Sequence, residues 1–223
     1  MSETLLRKRV GIFKSFLKNV DYTDNILILD CGCADGTIMS RLITPEMTYI
    51  GLDIAHKKLL AAKELQKDNA SFICSDAQRL PFKDEQFDAI ICSEVLEHVD
   101  KPLQMAGEIS RVLREGGTLI FTIPNGWGLY CLLVDRFLAR LGHLDVGHKN
   151  FFSLSGIRKT FNDIRLDEVD FKGSCFLPDC ILDNAIERYL PKLNFVIKVN
   201  LKLGDMFPSF ASGWYFKLRK KKS

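Results

Sequence analysis

From residue 26 onward, short apolar runs alternate with stretches whose apolar residues recur every three or four positions. ILILD (26–30), TYIGLD (48–53), ASFIC (70–74), FDAIIC (87–92) and TLIFTI (118–123) read as strands, separated by helices that begin near Gly36, His56 and Lys101. These runs are apolar on consecutive positions rather than alternate ones. That is the pattern of a parallel sheet covered by helices on both faces. Ahead of them, Leu5 to Leu17 places Leu6, Val10, Phe13 and Leu17 on one helical face with Arg7, Lys8 and Arg9 beside it, which predicts an amphipathic helix leading into the core.

Beyond Pro124 the alternation weakens. Residues 126–142 (GWGLYCLLVDRFLARLG) read as an apolar helix with a narrow polar side, an insertion over the site. Ser153 is placed to N-cap a helix running to Phe161, and RLDEVDF (165–171) and GWYFKL (213–218) read as two further strands. Between those strands, residues 174–211 are too many for a simple connection and predict one helix near 182–190 and another after Pro191. The resulting picture is one domain over 1–223, with a core at 20–125 and insertions at 126–162 and 174–211.

A hydrophobic content of 47% and a charged content of 26% are ordinary for a folded chain, and a net charge of +3, part of it in the run 219–222, gives no support to nucleic-acid binding. The N-terminus lacks a signal-peptide pattern, and the seven cysteines form an odd set with several at strand ends, so reduced thiols and a cytoplasmic location are expected. Lysines 192, 198 and 202 interleave with apolar residues over 191–207, which packs on the core or, alternatively, lies against a membrane surface.

The candidate chemistry sits at strand ends. The first strand runs into Asp30-Cys31-Gly32-Cys33-Ala34-Asp35-Gly36, a turn of small residues that lets a ligand approach the backbone where an open α/β sheet binds its ligands. The second strand ends at Asp53, whose carboxylate can accept from both hydroxyls of a ribose. Asp76 follows the third strand, placed to accept from an exocyclic amine, and CSEVLEHV (92–99) follows the fourth. Taken singly, Asp53 reads equally well as a helix cap and Asp76 as a turn residue.

In their order and content, ILDCGCADG, GLDIA, SDAQRLPF, FDAIICSEVLEHVDKP and ISRVLREGGTLIFTIPN resemble the class I S-adenosylmethionine-dependent methyltransferases, in particular the group around the ubiquinone and menaquinone biosynthesis enzymes. Ala34 stands where that family usually has its middle glycine. The resemblance implies a Rossmann-like, seven-stranded, mostly parallel sheet with an antiparallel C-terminal hairpin and helical insertions over the site. It further implies that Asp30, Gly32, Cys33 and Ala34 surround the methionine part of S-adenosylmethionine, Asp53 and Ile54 the ribose, and Asp76 and Ala77 the adenine, with Ser93 nearer the sulfonium.

Methyl transfer requires a nucleophile in line with the sulfonium, and an oxygen or carbon nucleophile also requires loss of its proton; His148 and His98 are the candidate catalytic bases. His98 reads alternatively as a packing residue. His143, Asp145 and His148 lack a matching ligand cluster, so no metal is expected. The acceptor implied is a small molecule, lipid or glycan, with a bulky apolar one favoured by residues 126–142, and peripheral membrane contact is a second use of the basic tail. Two rivals stand beside this reading. One is a non-catalytic S-adenosylmethionine-binding module. The other is an NAD(P)-dependent oxidoreductase, disfavoured because Thr37 occupies the last position of a G-x-G-x-x-G match.

Overall fold

The computed structural model describes residues 3–18, 25–65, 68–126, 147–175 and 194–222. Among these, seven strands form one sheet: β1 (Ile26–Cys31), β2 (Met47–Asp53), β3 (Ala70–Cys74), β4 (Phe87–Ser93), β5 (Leu113–Pro124), β6 (Leu166–Gly173) and β7 (Gly213–Lys220). Their spatial order is β3-β2-β1-β4-β5-β7-β6. β1 to β5 run parallel, and β7 is antiparallel to both β5 and β6. The fold is therefore the seven-stranded, mostly parallel, Rossmann-like sheet with an antiparallel C-terminal hairpin. The chain winds outward from β1 to β3 and then returns to β4 on β1's other side, which opens a crevice between the carboxyl ends of β1 and β4.

Six helices accompany the sheet among the described residues: α1 (Glu3–Leu17), α2 (Met39–Leu42), α3 (His56–Glu64), α4 (Pro102–Val112), α5 (Leu154–Asp163) and α6 (Asn194–Met206). The continuous apolar runs are explained by two separate cores. Ile28, Ile91, Ile120 and Tyr215 point to one face and pack with Phe13 and Phe16 of α1 and Met39 of α2. Their neighbours Leu29, Ile90, Leu119 and Phe216 point to the other, against Met105 and Ile109 of α4 and Ile157 and Phe161 of α5. Successive strand residues face opposite ways, so a strand buried on both faces has no polar side to show. Phe13 and Phe16 are essentially sealed, and each contributes about 2–3 kcal/mol by leaving water.

Several local expectations hold in detail. The Ser153 side chain caps α5, its Oγ accepting from Gly156 N at 3.0 Å. The helix expected after Pro191 is α6, whose Phe195, Val199 and Met206 are exposed. The helix expected near Gly36 is only the four-residue α2, starting three residues later. The predicted helices at 126–142 and 182–190 lie, apart from Gly126, outside the described residues. No helix among the described residues is long and apolar enough to cross a membrane.

Candidate active site

A cavity of about 560 Å³ opens at the carboxyl ends of β1 to β4. Its floor is the turn after β1. Gly32 has a positive φ of 86°, and a Cβ there would overlap the Val95 side chain, so only glycine leaves the space open. Gly32 N and Cys33 N both donate to Leu52 O, at 2.7 and 3.0 Å, which ties the turn to β2. Ala34 also has a positive φ, 50°, a conformation that costs an alanine about 1–2 kcal/mol and a glycine almost nothing. Its amide is held by Asp53 Oδ2 at 2.9 Å, which offsets that cost.

Asp53 thus joins two elements, because its other oxygen accepts from Ala55 N at 2.8 Å and shapes the start of α3. Each carboxylate oxygen has a lone pair left for the cavity. Asp76 is fixed in a similar manner, with Oδ1 accepting from Gln78 N at 2.8 Å, while Gln78 Oε1 accepts from Lys101 N at the start of α4. Both readings of Asp53 and Asp76, turn residue and ligand acceptor, are compatible in one geometry.

The β4 side is built from side chains. Ser93 Oγ lies 3.0 Å from Thr122 Oγ1 of β5, which donates to Glu94 Oε1 at 2.9 Å. Arg9 reaches across from α1, its Nη1 3.4 Å from Ser93 Oγ and its Nη2 3.7 Å from Glu94. Glu94 has a φ of +56°, about 1–3 kcal/mol of strain for a residue with a Cβ, held in place by Glu94 N donating to Thr122 O at 3.1 Å.

One turn further, residues 147–150 are bolted onto residues 96–100. Lys149 N and Asn150 N both donate to Glu97 O, at 2.8 and 3.0 Å, and Asn150 Nδ2 donates to Val99 O at 2.7 Å. This brings the His98 and His148 rings to 4.9 Å between centroids. His98 Nδ1 lies 2.9 Å from Gly147 O, and its Nε2 lies 3.9 Å from Glu97 Oε1. Glu97 is only 2% exposed, and neither of its carboxylate oxygens accepts a hydrogen bond from another of the described residues. Burial, and secondarily the Glu94 carboxylate, push its carboxyl up to about 9.

Of the residues singled out from sequence, Gly32, Ala34, Asp53, Ile54, Asp76, Ala77, Ser93 and His98 line the cavity. Asp30 and Cys33 stand behind its wall. Asp30 is 3% exposed and accepts a short hydrogen bond from Tyr49 Oη; burial pushes its carboxyl up to about 7. Cys33 is buried with its thiol pointing toward Gly51 of β2, and burial raises that thiol well above its usual range. His148 sits beside His98, whereas His143 and Asp145 lie outside the described residues. Sequence reasoning passed over Arg9, Glu94 and Glu97. The two acids were visible in SEVLEHV, but Arg9 had no local signal, being 84 residues from the serine it meets.

Residues 29–121 match the methyltransferase domain family. A protein of Methanocaldococcus jannaschii, uncharacterized protein MJ0638, is 37% identical over 193 residues, 86% of this chain and 77% of that protein. The ubiquinone biosynthesis O-methyltransferase of Coxiella burnetii is 32% identical over 101 residues, 44% of this chain and 43% of the relative, so the match spans less than half of that enzyme. Among solved structures, Haemonchus contortus phosphoethanolamine N-methyltransferase 2, in complex with phosphomonomethylethanolamine and S-adenosylhomocysteine, superposes with a TM-score of 0.70 at 18% identity, over 97% of this chain and 53% of the other. At that identity the likeness speaks for the fold alone. With the sheet order, the strand-end cavity and the match over residues 29–121 in agreement, the chain belongs to the class I S-adenosylmethionine-dependent methyltransferases.

Proposed function

We propose that this chain binds S-adenosylmethionine in the strand-end cavity and passes its methyl group to an oxygen, carbon or nitrogen of a small-molecule or lipid-type acceptor. The observation that carries the reading is the pairing of Asp53 and Asp76 on one rim with a glycine whose missing Cβ keeps the floor open. Asp53 would take the ribose hydroxyls and Asp76 the adenine amine, with Ile54, 72% exposed at the lip, offering an apolar surface to the base. Gly32 and Ala34 would border the amino-acid part, with Asp30 and Cys33 supporting the turn from behind. A volume of about 560 Å³ suits a nucleoside-containing ligand.

The cofactor supplies a methyl carbon already activated by its sulfonium. The protein's own contribution is then orientation, exclusion of water and handling of the acceptor's proton. Ser93 and Glu94, held by Arg9, would form the wall nearest the place of reaction, and His98 and His148 are the basic groups beside it. The quinone methyltransferase among the relatives supports a small-molecule acceptor. A cytoplasmic enzyme with peripheral membrane contact would fit a lipid-type one.

The test combines calorimetry with S-adenosylhomocysteine and incubation with methyl-labelled S-adenosylmethionine plus lipid or aqueous cell extract. Binding at one site per chain with label in an organic-phase product is expected. Binding without any labelled product would favour a non-catalytic module, and NAD binding in place of S-adenosylhomocysteine would sink the reading.

A further inference from the structure

We propose that Glu97, His98 and His148 form a binding site for a first-row divalent transition cation at the edge of the cofactor cavity, and that the ion holds an oxygen of the acceptor. This rests on the methyltransferase reading for the acceptor, though not for the cation.

The ligand atoms of the three side chains lie within 4.8 Å of one another. Donors about 2.0–2.2 Å from one ion lie about 3–4 Å apart, so modest side-chain rotations would close the set. The decisive feature is Glu97. A carboxyl group only 2% exposed, with neither oxygen accepting from another of the described residues, is rare in a folded protein and calls for a partner. His98 Nε2 faces it at 3.9 Å, too far for a hydrogen bond and near enough to share an ion.

The orientation of His98 agrees. Its Nδ1 can only donate to the Gly147 carbonyl, 2.9 Å away, which places the proton on Nδ1 and leaves the Nε2 lone pair turned toward Glu97. A backbone carbonyl fixing the tautomer of a ligating imidazole is the usual outer support of a metal site. The frame is also built for precision, since two amides of the 147–150 segment converge on the Glu97 carbonyl and carry His148 into place. Two bases 4.9 Å apart would oppose each other's protonation and leave Glu97 without a role. As ligands, all three are accounted for.

Two imidazoles and one carboxylate favour zinc, iron, cobalt or manganese over magnesium or calcium. Three protein ligands leave open positions, as in catalytic rather than structural centres. His98 lines the cofactor cavity, so an open position faces the reacting side. There a hydroxyl of the acceptor, bound to the cation, would release its proton to solvent as bound water does. Its oxygen then forms the bond to the methyl carbon, while the electron pair of the S–CH3 bond returns to sulfur and leaves a thioether. The acceptor class is therefore an oxygen nucleophile.

The expectation of no metal came from weighing His148 with His143 and Asp145. The partner that matters is Glu97, which that weighing leaves out.

The full chain, stripped with a chelator, would be titrated with Co2+ and followed by its visible absorption, with Zn2+ and Mg2+ as competitors. One equivalent of Co2+ should bind with the visible bands of nitrogen coordination, be displaced by Zn2+, and resist a tenfold excess of Mg2+. Glu97→Gln and His148→Ala should each weaken cobalt at least about tenfold, since even lost outer-shell partners cost that much. Both should still bind S-adenosylhomocysteine and melt cooperatively. Absence of visible bands at millimolar cobalt, or equal affinity in folded variants, would overturn the site. Cofactor binding without cobalt would remove the cation alone, and cobalt binding without cofactor would remove the methyltransferase reading instead.

Discussion

Along the rim of the cavity, the β1–β3 side and the β4 side handle their polar groups in opposite ways. At the first, the carboxylates are tied to main chain: Asp53 accepts from the amides of Ala34 and Ala55, and Asp76 from that of Gln78. These partners lie within two residues, or in the turn that follows the neighbouring strand, so the shape follows from the turns themselves. At the second, Ser93 and Glu94 depend on Thr122 of β5 and Arg9 of α1, and the Glu97 carboxylate accepts no hydrogen bond from the other described residues. A wall made by backbone suits a ligand common to a whole family. A wall made by distant side chains can change with the acceptor while the cofactor half stays as it is.

The comparison is broken most severely at Gly32. Gly32→Ala adds a Cβ where Val95 already stands and forces alanine into a positive φ. Strain of about 1–3 kcal/mol and a similar overpacking term would together weaken S-adenosylhomocysteine binding roughly a hundredfold or more. Calorimetry with a thermal melt of the same sample measures it. An affinity within about threefold of the parent would show that the turn does not form the floor.

Asp53→Ala is the next largest. It removes the acceptor proposed for the ribose and also frees the amides of Ala34 and Ala55. Lost charge-assisted hydrogen bonds of about 1.5–3 kcal/mol correspond to roughly 10- to 100-fold weaker cofactor binding. Asp53→Asn should fall in between, since an amide can accept from one of the two donors but its NH2 opposes the other. Equal losses for Ala and Asn would mean that charge alone matters there.

The same division explains what the sequence made legible. Continuous apolar runs with an acid or glycine at the end belong to local chain, so β1 to β4 and the places of Gly32, Asp53 and Asp76 at the strand-end cavity could be read from neighbours. Even Ala34, a departure from the family pattern, is rationalised by one bond to Asp53. Asp30 was read as a ligand-facing acid because it sits in the motif, but strand alternation turns it inward to Tyr49. The burial of Glu97 and the contact made by Arg9 were illegible for a different reason. An acid in a polar segment becomes a buried one only when residues 147–150 fold over it, and an arginine on a helix's polar side meets Ser93 only through tertiary packing.

The smallest expected effect on the cofactor is the sharpest test of the division. Thr122 is fully buried in β5 and serves only the β4 side, donating to Glu94 and lying beside Ser93. Thr122→Val keeps the branched shape that a strand favours and removes the hydroxyl. Losing that bond next to a strained Glu94 should cost about 1–2 kcal/mol of stability, measured by denaturant unfolding. Cofactor affinity should change by less than about threefold, because no bond on the β1–β3 side passes through Thr122. Turnover of an acceptor should suffer more than binding, since Ser93 and Glu94 would lose their fixed positions. If cofactor affinity instead fell as far as in Asp53→Ala, the two sides would be one mechanical unit, and Ser93 would belong with the cofactor's supports rather than with the acceptor's wall.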